Sequence, residues 1–185
     1  MKGKFLLLAM LTLMATSTSV AQKLTHQQRV EQREEKQQAY TAKIKEAFAQ
    51  QRFTFIAMQM QTNFGPITTV PGVNDYIDVY PSDLDVNLPY QSTYFTTIIR
   101  NEIYFTTISY TFDVQYSSDG KSAFVDIQAK NVIDMQTTDG MDASQGNLNY
   151  SIRMQVSMLS GAATVTITPT FGNQMQYIGT LQLVN

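Results

Sequence analysis

The sequence predicts an α+β domain that is mainly β: one N-terminal helix packed on a curled, mainly antiparallel sheet of about seven or eight strands, sandwich-like or half-barrel-like. Three observations predict it. Residues 150–185 carry three runs of two-residue alternation separated by short turns. Asp119-Gly120 lies between two β-branched and aromatic runs, where it supplies the positive φ angles that a tight hairpin requires. Upstream of both stands a charged segment, free of Gly and Pro, whose apolar residues recur at helical spacing.

Residues 1–21 read as a secretory signal peptide. Lys2 and Lys4 form a positive start, residues 5–14 an apolar run interrupted only by Thr12, and Ser19-Val20-Ala21 a small-x-small cleavage site. That run is too short to cross a bilayer, which needs about 20 residues. Cleavage after Ala21 and export to the periplasm or the cell exterior are therefore expected. With no cysteine in the chain there is no lipidation site, disulfide, thiolate metal site or cysteine nucleophile. Without Lys2 and Lys4 the chain has 11 basic residues against 15 acidic and a formal charge of about −4. Mildly acidic and with scattered charge, it lacks the basic footprint of a nucleic-acid binder.

Residues 22–38 are rich in Gln and mixed charge, with only Leu24 and Val30 as large apolar groups, too few to bury a face. They are expected to form a frayed or solvated extension before a single β-rich domain over residues 39–185. Tyr40, Ile44, Ala47 and Phe48 then fall on one face of a helix, with Lys43, Lys45 and Glu46 turned away. This helix is expected to dock on the sheet by its C-terminal half.

The strands follow in order. Phe53, Phe55 and Ala57 share one face while Ile56, Met58 and Met60 share the other, which predicts a strand that is central or covered on both faces. Gly65-Pro66 and Pro71-Gly72 mark a wide loop over residues 63–74. Residues 76–80 form a short strand, Ser82-Asp83 a turn, and Val86-Asn87-Leu88 a brief strand closed by Pro89. Over residues 94–116 the apolar parity changes, from Ile103 and Phe105 to Ile108, Tyr110, Phe112, Val114 and Tyr116. This demands a bulge near Thr106-Thr107 or a break between two strands. Val125, Ile127 and Ala129 face inward on the returning strand, and residues 137–146 form a second polar loop. In the closing meander Tyr150, Ile152, Met154, Val156 and Met158 share a face, Ser160-Gly161 turns the chain, and Ala163, Val165 and Ile167 precede Met175, Tyr177, Gly179, Leu181 and Leu183.

Phe53-Thr54-Phe55-Ile56-Ala57, Val86-Asn87-Leu88-Pro89-Tyr90, Ile103-Tyr104-Phe105, the run Ser160 to Val165, and Gln176-Tyr177-Ile178-Gly179 occur in that order. As an ordered set over about residues 35 to 183 they resemble the secreted bacterial family known as domain of unknown function 4251. Its pattern often has Phe-Gly after Leu-Pro-Tyr, where Gln91-Ser92 stand here. The resemblance implies an exported small α+β or all-β domain and carries over no activity and no catalytic residues.

Several chemistries lack their parts. His26 is the sole histidine, so a zinc or copper centre would need an unusual set of carboxylates, and no Gly-x-Ser-x-Gly elbow accompanies it for a triad. Asp83-Leu84-Asp85-Val86-Asn87 copies half of a calcium loop but places Leu88 where Gly is needed and Tyr94 where a bidentate Glu is needed. A looser calcium site that uses Asp75 and Asp78 as well as this half-loop is the weaker variant of the same idea. Ser118-x-x-Lys121 spans a turn rather than a helix start, with no companion motif of penicillin-recognising enzymes. No phosphate loop or dinucleotide fingerprint is present. No cofactor or metal is expected. Asp113, Asp126 and Asp134 read as outward strand carboxylates, and Glu102 is the only glutamate after the helix.

What remains is a surplus of tyrosine. Tyr76, Tyr80, Tyr90, Tyr94 and Tyr104 cluster in the less regular part of the chain, where rings beside rigid strands form recognition surfaces or else half-buried strand filler. The expected function is a non-enzymatic binding or envelope-associated module that engages an envelope or extracellular protein or a small ligand. Assembly through the Gln-rich helix and hydrolysis by paired carboxylates are the two other readings.

Overall fold

The computed structural model describes residues 26–62, 65–70, 74–92, 99–132, 148–170 and 174–183. The chain divides into a unit of residues 1–36 and a unit of residues 37–185. Helix α1 (His26–Ala49) begins in the first and ends in the second. With neither Gly nor Pro to interrupt it, the stretch expected to be frayed or solvated is helical from His26, and its side chains are exposed as far as Ala39. Such a helix, polar all round, buries nothing by its own face.

In the second unit the expected apolar stripe docks: Ile44, Ala47 and Phe48 are buried and Tyr40 packs at the edge of the core. Two bonds of a Schellman closure end the helix, Arg52 N–H to the Ala47 carbonyl at 2.9 Å and Gln51 N–H to the Phe48 carbonyl at 3.1 Å. Gln51 takes the left-handed position there (φ 50°), where glycine is usual.

Ten strands follow: β1 (Phe53–Thr62), β2 (Thr68–Thr69), β3 (Tyr76–Val79), β4 (Leu84–Ser92), β5 (Ile99–Thr107), β6 (Tyr110–Tyr116), β7 (Ser122–Val132), β8 (Leu148–Ser157), β9 (Ala162–Pro169) and β10 (Met175–Leu183). All pair antiparallel in one sheet of order β5-β4-β3-β1-β10-β9-β8-β7-β6, with β2 also on β1. The sequence predicts about seven or eight strands. β2 was missed because a two-residue ladder shows no alternation, and the run through residue 116 is two strands.

A flat sheet in this order would hold its end strands roughly 38 Å apart. Yet those ends, β5 and β6, are joined by Ile108 and Ser109 alone, a reach of about 11 Å at most. The sheet therefore rolls up, nearly into a barrel, rather than forming the sandwich that was the other expectation. Eight antiparallel steps also leave its first and last strands pointing the same way, so β5 and β6 act as one bent strand that leaves one end of the sheet and enters the other. The break falls beside Thr106-Thr107, as the parity change requires, and turns Ile108 outward to 84% exposure.

A barrel of about eight positions is just wide enough for side chains to fill. Here Phe105 of β5 stacks on Tyr150 of β8 (centroids 4.7 Å apart) and Phe53 of β1 meets Phe112 of β6 (6.1 Å). Phe48 of α1 packs edge-on against Phe53 at 5.2 Å, so the docked end of the helix reaches the same core. The meander behaves as predicted, with Ile152, Met154, Val156, Val165, Ile167, Met175 and Tyr177 inward. Apolar residues inside and Ser, Thr, Gln and Arg outside are the reverse of a lipid-facing barrel. Among the described residues no helix is long and apolar enough to cross a membrane.

Two expectations about individual strands are corrected. β1 is central, between β3 and β10, but it is not covered on both faces: its register shifts between Ala57 and Gln59, so Met60 joins Phe53 and Phe55 inside while Met58 is left 51% exposed. β4 is not closed by Pro89 but runs through it. Its ladder to β3 ends at Asn87, so a residue without an amide hydrogen costs nothing on that side.

Candidate functional site

Residues 76–79 of β3, 84–88 of β4 and 102–106 of β5 alternate, sending Ile77, Val79, Leu84, Val86, Leu88, Ile103 and Phe105 into the core. Their other face is half-exposed and built in register. One row runs Ile56, Tyr76, Asn87, Tyr104, and the next runs Thr54, Asp78, Asp85, Thr106. Tyr76 donates its hydroxyl to Asp85 Oδ2 at 3.0 Å, and Thr106 donates to Asp85 Oδ1 at 3.0 Å. Burial first, then the hydrogen bond and charge of Asp85 and the charge of Asp78, push the Tyr76 phenol from 10.0 up to about 12. Tyr76 is thus a fixed, protonated donor over the neutral range.

Beside this network lie groups without partners. Asp78 Oδ1 is buried and has no hydrogen-bond partner. Asp78 faces Asp85 directly across the β3–β4 pair. Cross-strand Cβ atoms stand about 5 Å apart, so the two carboxylates repel. Glu102 is exposed farther along β5, opposite Pro89.

Of the five tyrosines singled out in the sequence, Tyr76 and Tyr104 come together, flanking Asn87 on the outer face. Tyr80 ends β3 in a turn closed by reciprocal bonds with Asp83, and its carbonyl accepts the Tyr110 hydroxyl. Tyr90 packs against the core. Tyr94 lies outside the described residues. Asp78, Asp85 and Asn87 enter the sequence reading only as parts of a loose calcium site, not as a recognition face with the tyrosines. Asp85 and Asn87 were weighed as a calcium half-loop, but alternation with buried Leu84 and Val86 places them on a strand instead. The signal that could have found them is that alternation, polar at 78, 85 and 87 against apolar neighbours.

The remaining candidates are structural. Ser118 and Lys121 sit in the β6–β7 hairpin, where Ser117 and Lys121 N–H both bond the Asp119 carboxylate. Asp113 and Asp126 face each other across β6–β7, and Arg153 on β8 bonds Asp126 at 3.0 Å. His26 opens α1, and Asp134 and the loop at 137–146 lie outside the described residues. Among the described residues no group of three or more His, Cys, Asp or Glu could hold a metal ion.

Comparison with known proteins is consistent with this architecture. A search of curated proteins finds no match. Among solved structures the chain is similar to a crystal structure, at 1.95 Å resolution, of a DUF4251 family protein from Bacteroides eggerthii DSM 20697. The TM-score is 0.56 at 17% identity, covering 78% of this chain and 88% of that one, a likeness of fold. The family model described as "Domain of unknown function (DUF4251)" matches residues 35–181, nearly the whole span that carries the motif resemblance. On that match this protein belongs to the DUF4251 family.

Proposed function

We propose that this chain is an exported, non-enzymatic binding module whose recognition surface is the outer face of β3, β4 and β5. One observation carries the reading: Tyr76 and Tyr104 flank Asn87 on strands whose opposite faces are the core. Two rings held about 10 Å apart on a rigid sheet, with Tyr76 pinned by Asp85, form a preorganised contact surface. The Asn87 amide and the Tyr104 hydroxyl make no hydrogen bond to a described residue, leaving them available. Export rests on the signal-like residues 1–21.

The test is NMR mapping of the chain from Gln22 onward with short peptides of differing charge and with neutral oligosaccharides. The expected result is that perturbations gather at Tyr76, Asn87 and Tyr104, and that Tyr104→Ala removes them without unfolding the protein. Perturbations confined to other surfaces would refute the assignment. Assembly through α1 is a second reading, supported by the exposure of every side chain from His26 to Ala39. It predicts that deleting residues 22–36 leaves the fold intact and abolishes self- or partner association.

A further inference from the structure

Among the described residues the sheet carries two cross-strand carboxylate pairs and treats them differently. Asp113 and Asp126 face each other on β6 and β7, and the chain supplies the compensating cation, Arg153, bonded to Asp126 Oδ1 at 3.0 Å on the next strand. Asp78 and Asp85 face each other on β3 and β4, but the flanking positions in that row are Thr54 and Thr106. Among the described residues neither carboxylate has an ion-pair partner, and no lysine or arginine is among the described side chains of β3, β4 and β5. Like charges placed opposite one another destabilise a sheet, and a buried carboxylate oxygen with no donor adds to that cost. The repulsion is relieved by a single positive group arriving on the exposed side of the pair.

Resting on the binding face described above, we infer that its ligand is a positively charged peptide segment of a partner protein. A lysine ammonium or arginine guanidinium would sit between Asp78 and Asp85, against the tyrosine rings. The donor chemistry fits. Asp85 already accepts the hydroxyls of Tyr76 and Thr106, but each carboxylate oxygen has a second lone pair. Tyrosine faces attract cations, and the chain shows that contact itself, with Lys45 Nζ 5.5 Å from the centre of the Tyr116 ring. Two carboxylates are too few for calcium, which takes six to eight oxygens. Long-range charge points the same way, since residues 50–185 hold five basic side chains against eleven acidic. Such an imbalance draws basic segments and repels acidic ones. A sheet face with rows about 4.8 Å apart also suits an extended peptide.

The test is titration of the chain from Gln22 with a hexapeptide of alternating Lys and Ser, against a Glu-Ser counterpart and a neutral hexasaccharide, at low and at physiological salt. The expected result is Lys-Ser binding at Tyr76, Asn87 and Tyr104, weakened at least tenfold by Asp78→Asn, by Tyr104→Ala and by salt. Asp78→Asn should melt no lower than the parent, because it removes a repulsion. Lys-Ser binding that survives Asp78→Asn would overturn the inference, as would Asp78-dependent calcium binding. Binding of the hexasaccharide at this face instead would overturn the cationic ligand and keep the face. No perturbation at the face by any of the three probes would overturn both.

Discussion

Across the interior of the rolled sheet the Tyr177 hydroxyl donates to the Pro89 carbonyl at 2.8 Å, linking β10 to β4 with β1 and β3 lying between them in the sheet. Tyr177 is fully buried, and burial pushes its phenol far above the ordinary value, so it remains a donor. Tyr177→Phe keeps the ring and orphans the carbonyl, which should cost about 1–2 kcal/mol. Urea unfolding measures this as a lower midpoint at unchanged slope. An unchanged midpoint would show that the bond contributes nothing.

Gly179 is where the shifted register of β1 presses on β10. A Cβ there would stand 1.9 Å from the Ile56 carbonyl oxygen, a backbone atom with no rotamer to yield. Gly179→Ala should therefore cost about 3 kcal/mol or more, at the upper end for overpacking. Gly120, in the β6–β7 hairpin, is the control: its φ is +66° and nothing lies within 4 Å of an added Cβ. Gly120→Ala meets only the left-handed penalty of about 1 kcal/mol. Parallel thermal melts should rank the two in that order.

These glycines mark what the sequence could and could not disclose. The docked helix face at Tyr40, Ile44, Ala47 and Phe48 and the alternation of β8, β9 and β10 were legible because each obeys one local period against one core. The parity break before Tyr110 was legible as a break, but that β5 and β6 bend into opposite ends of one sheet is a fact of long-range pairing. β1 misled for a related reason: alternation cannot register an extra residue, so Met60 was assigned to the face of Met58. At the candidate site Tyr76 and Tyr104 were singled out by residue type. Their neighbours Asn87, Asp78 and Asp85 join them only through the registers of β3 on β4 and β4 on β5, which no single segment encodes.

The helix end yields a prediction about strain. Gln51 holds a left-handed conformation at φ 50°, and its side-chain Oε1 lies 3.2 Å from the Tyr110 hydroxyl, whose single proton is shared between that oxygen and the Tyr80 carbonyl. Gln51→Gly relieves a backbone penalty of about 1 kcal/mol and forfeits a contact of similar size, so stability should change little. In a Tyr110→Phe background the contact is already gone, and the same substitution should stabilise by about 1 kcal/mol. A double-mutant cycle by chemical denaturation reads the difference. Equal effects in both backgrounds would show that the contact carries no energy.

Alkaline unfolding should report on the candidate face. The Tyr76 phenol, raised from 10.0 to about 12 by burial, by its bond to Asp85 and by the nearby carboxylate charges, keeps its proton in the folded protein at pH values where the unfolded chain releases it. A group whose folded pKa is raised contributes stability that is complete below its unfolded pKa and disappears as pH climbs through the folded one. Stability should therefore fall between pH 10 and about 12. Tyr110, Tyr116 and Tyr177 are also raised by burial and contribute to the same decline. Tyr76→Phe cannot ionise, so its stability should fall less steeply than the parent's over that window while the other three tyrosines maintain the remaining slope. Absorbance at the phenolate band adds a second readout, because Asp85→Asn removes both the bonded carboxylate and its charge and should bring Tyr76 ionisation to lower pH. If Tyr76→Phe and the parent lose stability in parallel from pH 10 upward, Tyr76 is not held by Asp85, and the rigid platform inferred for this face would lose its anchor.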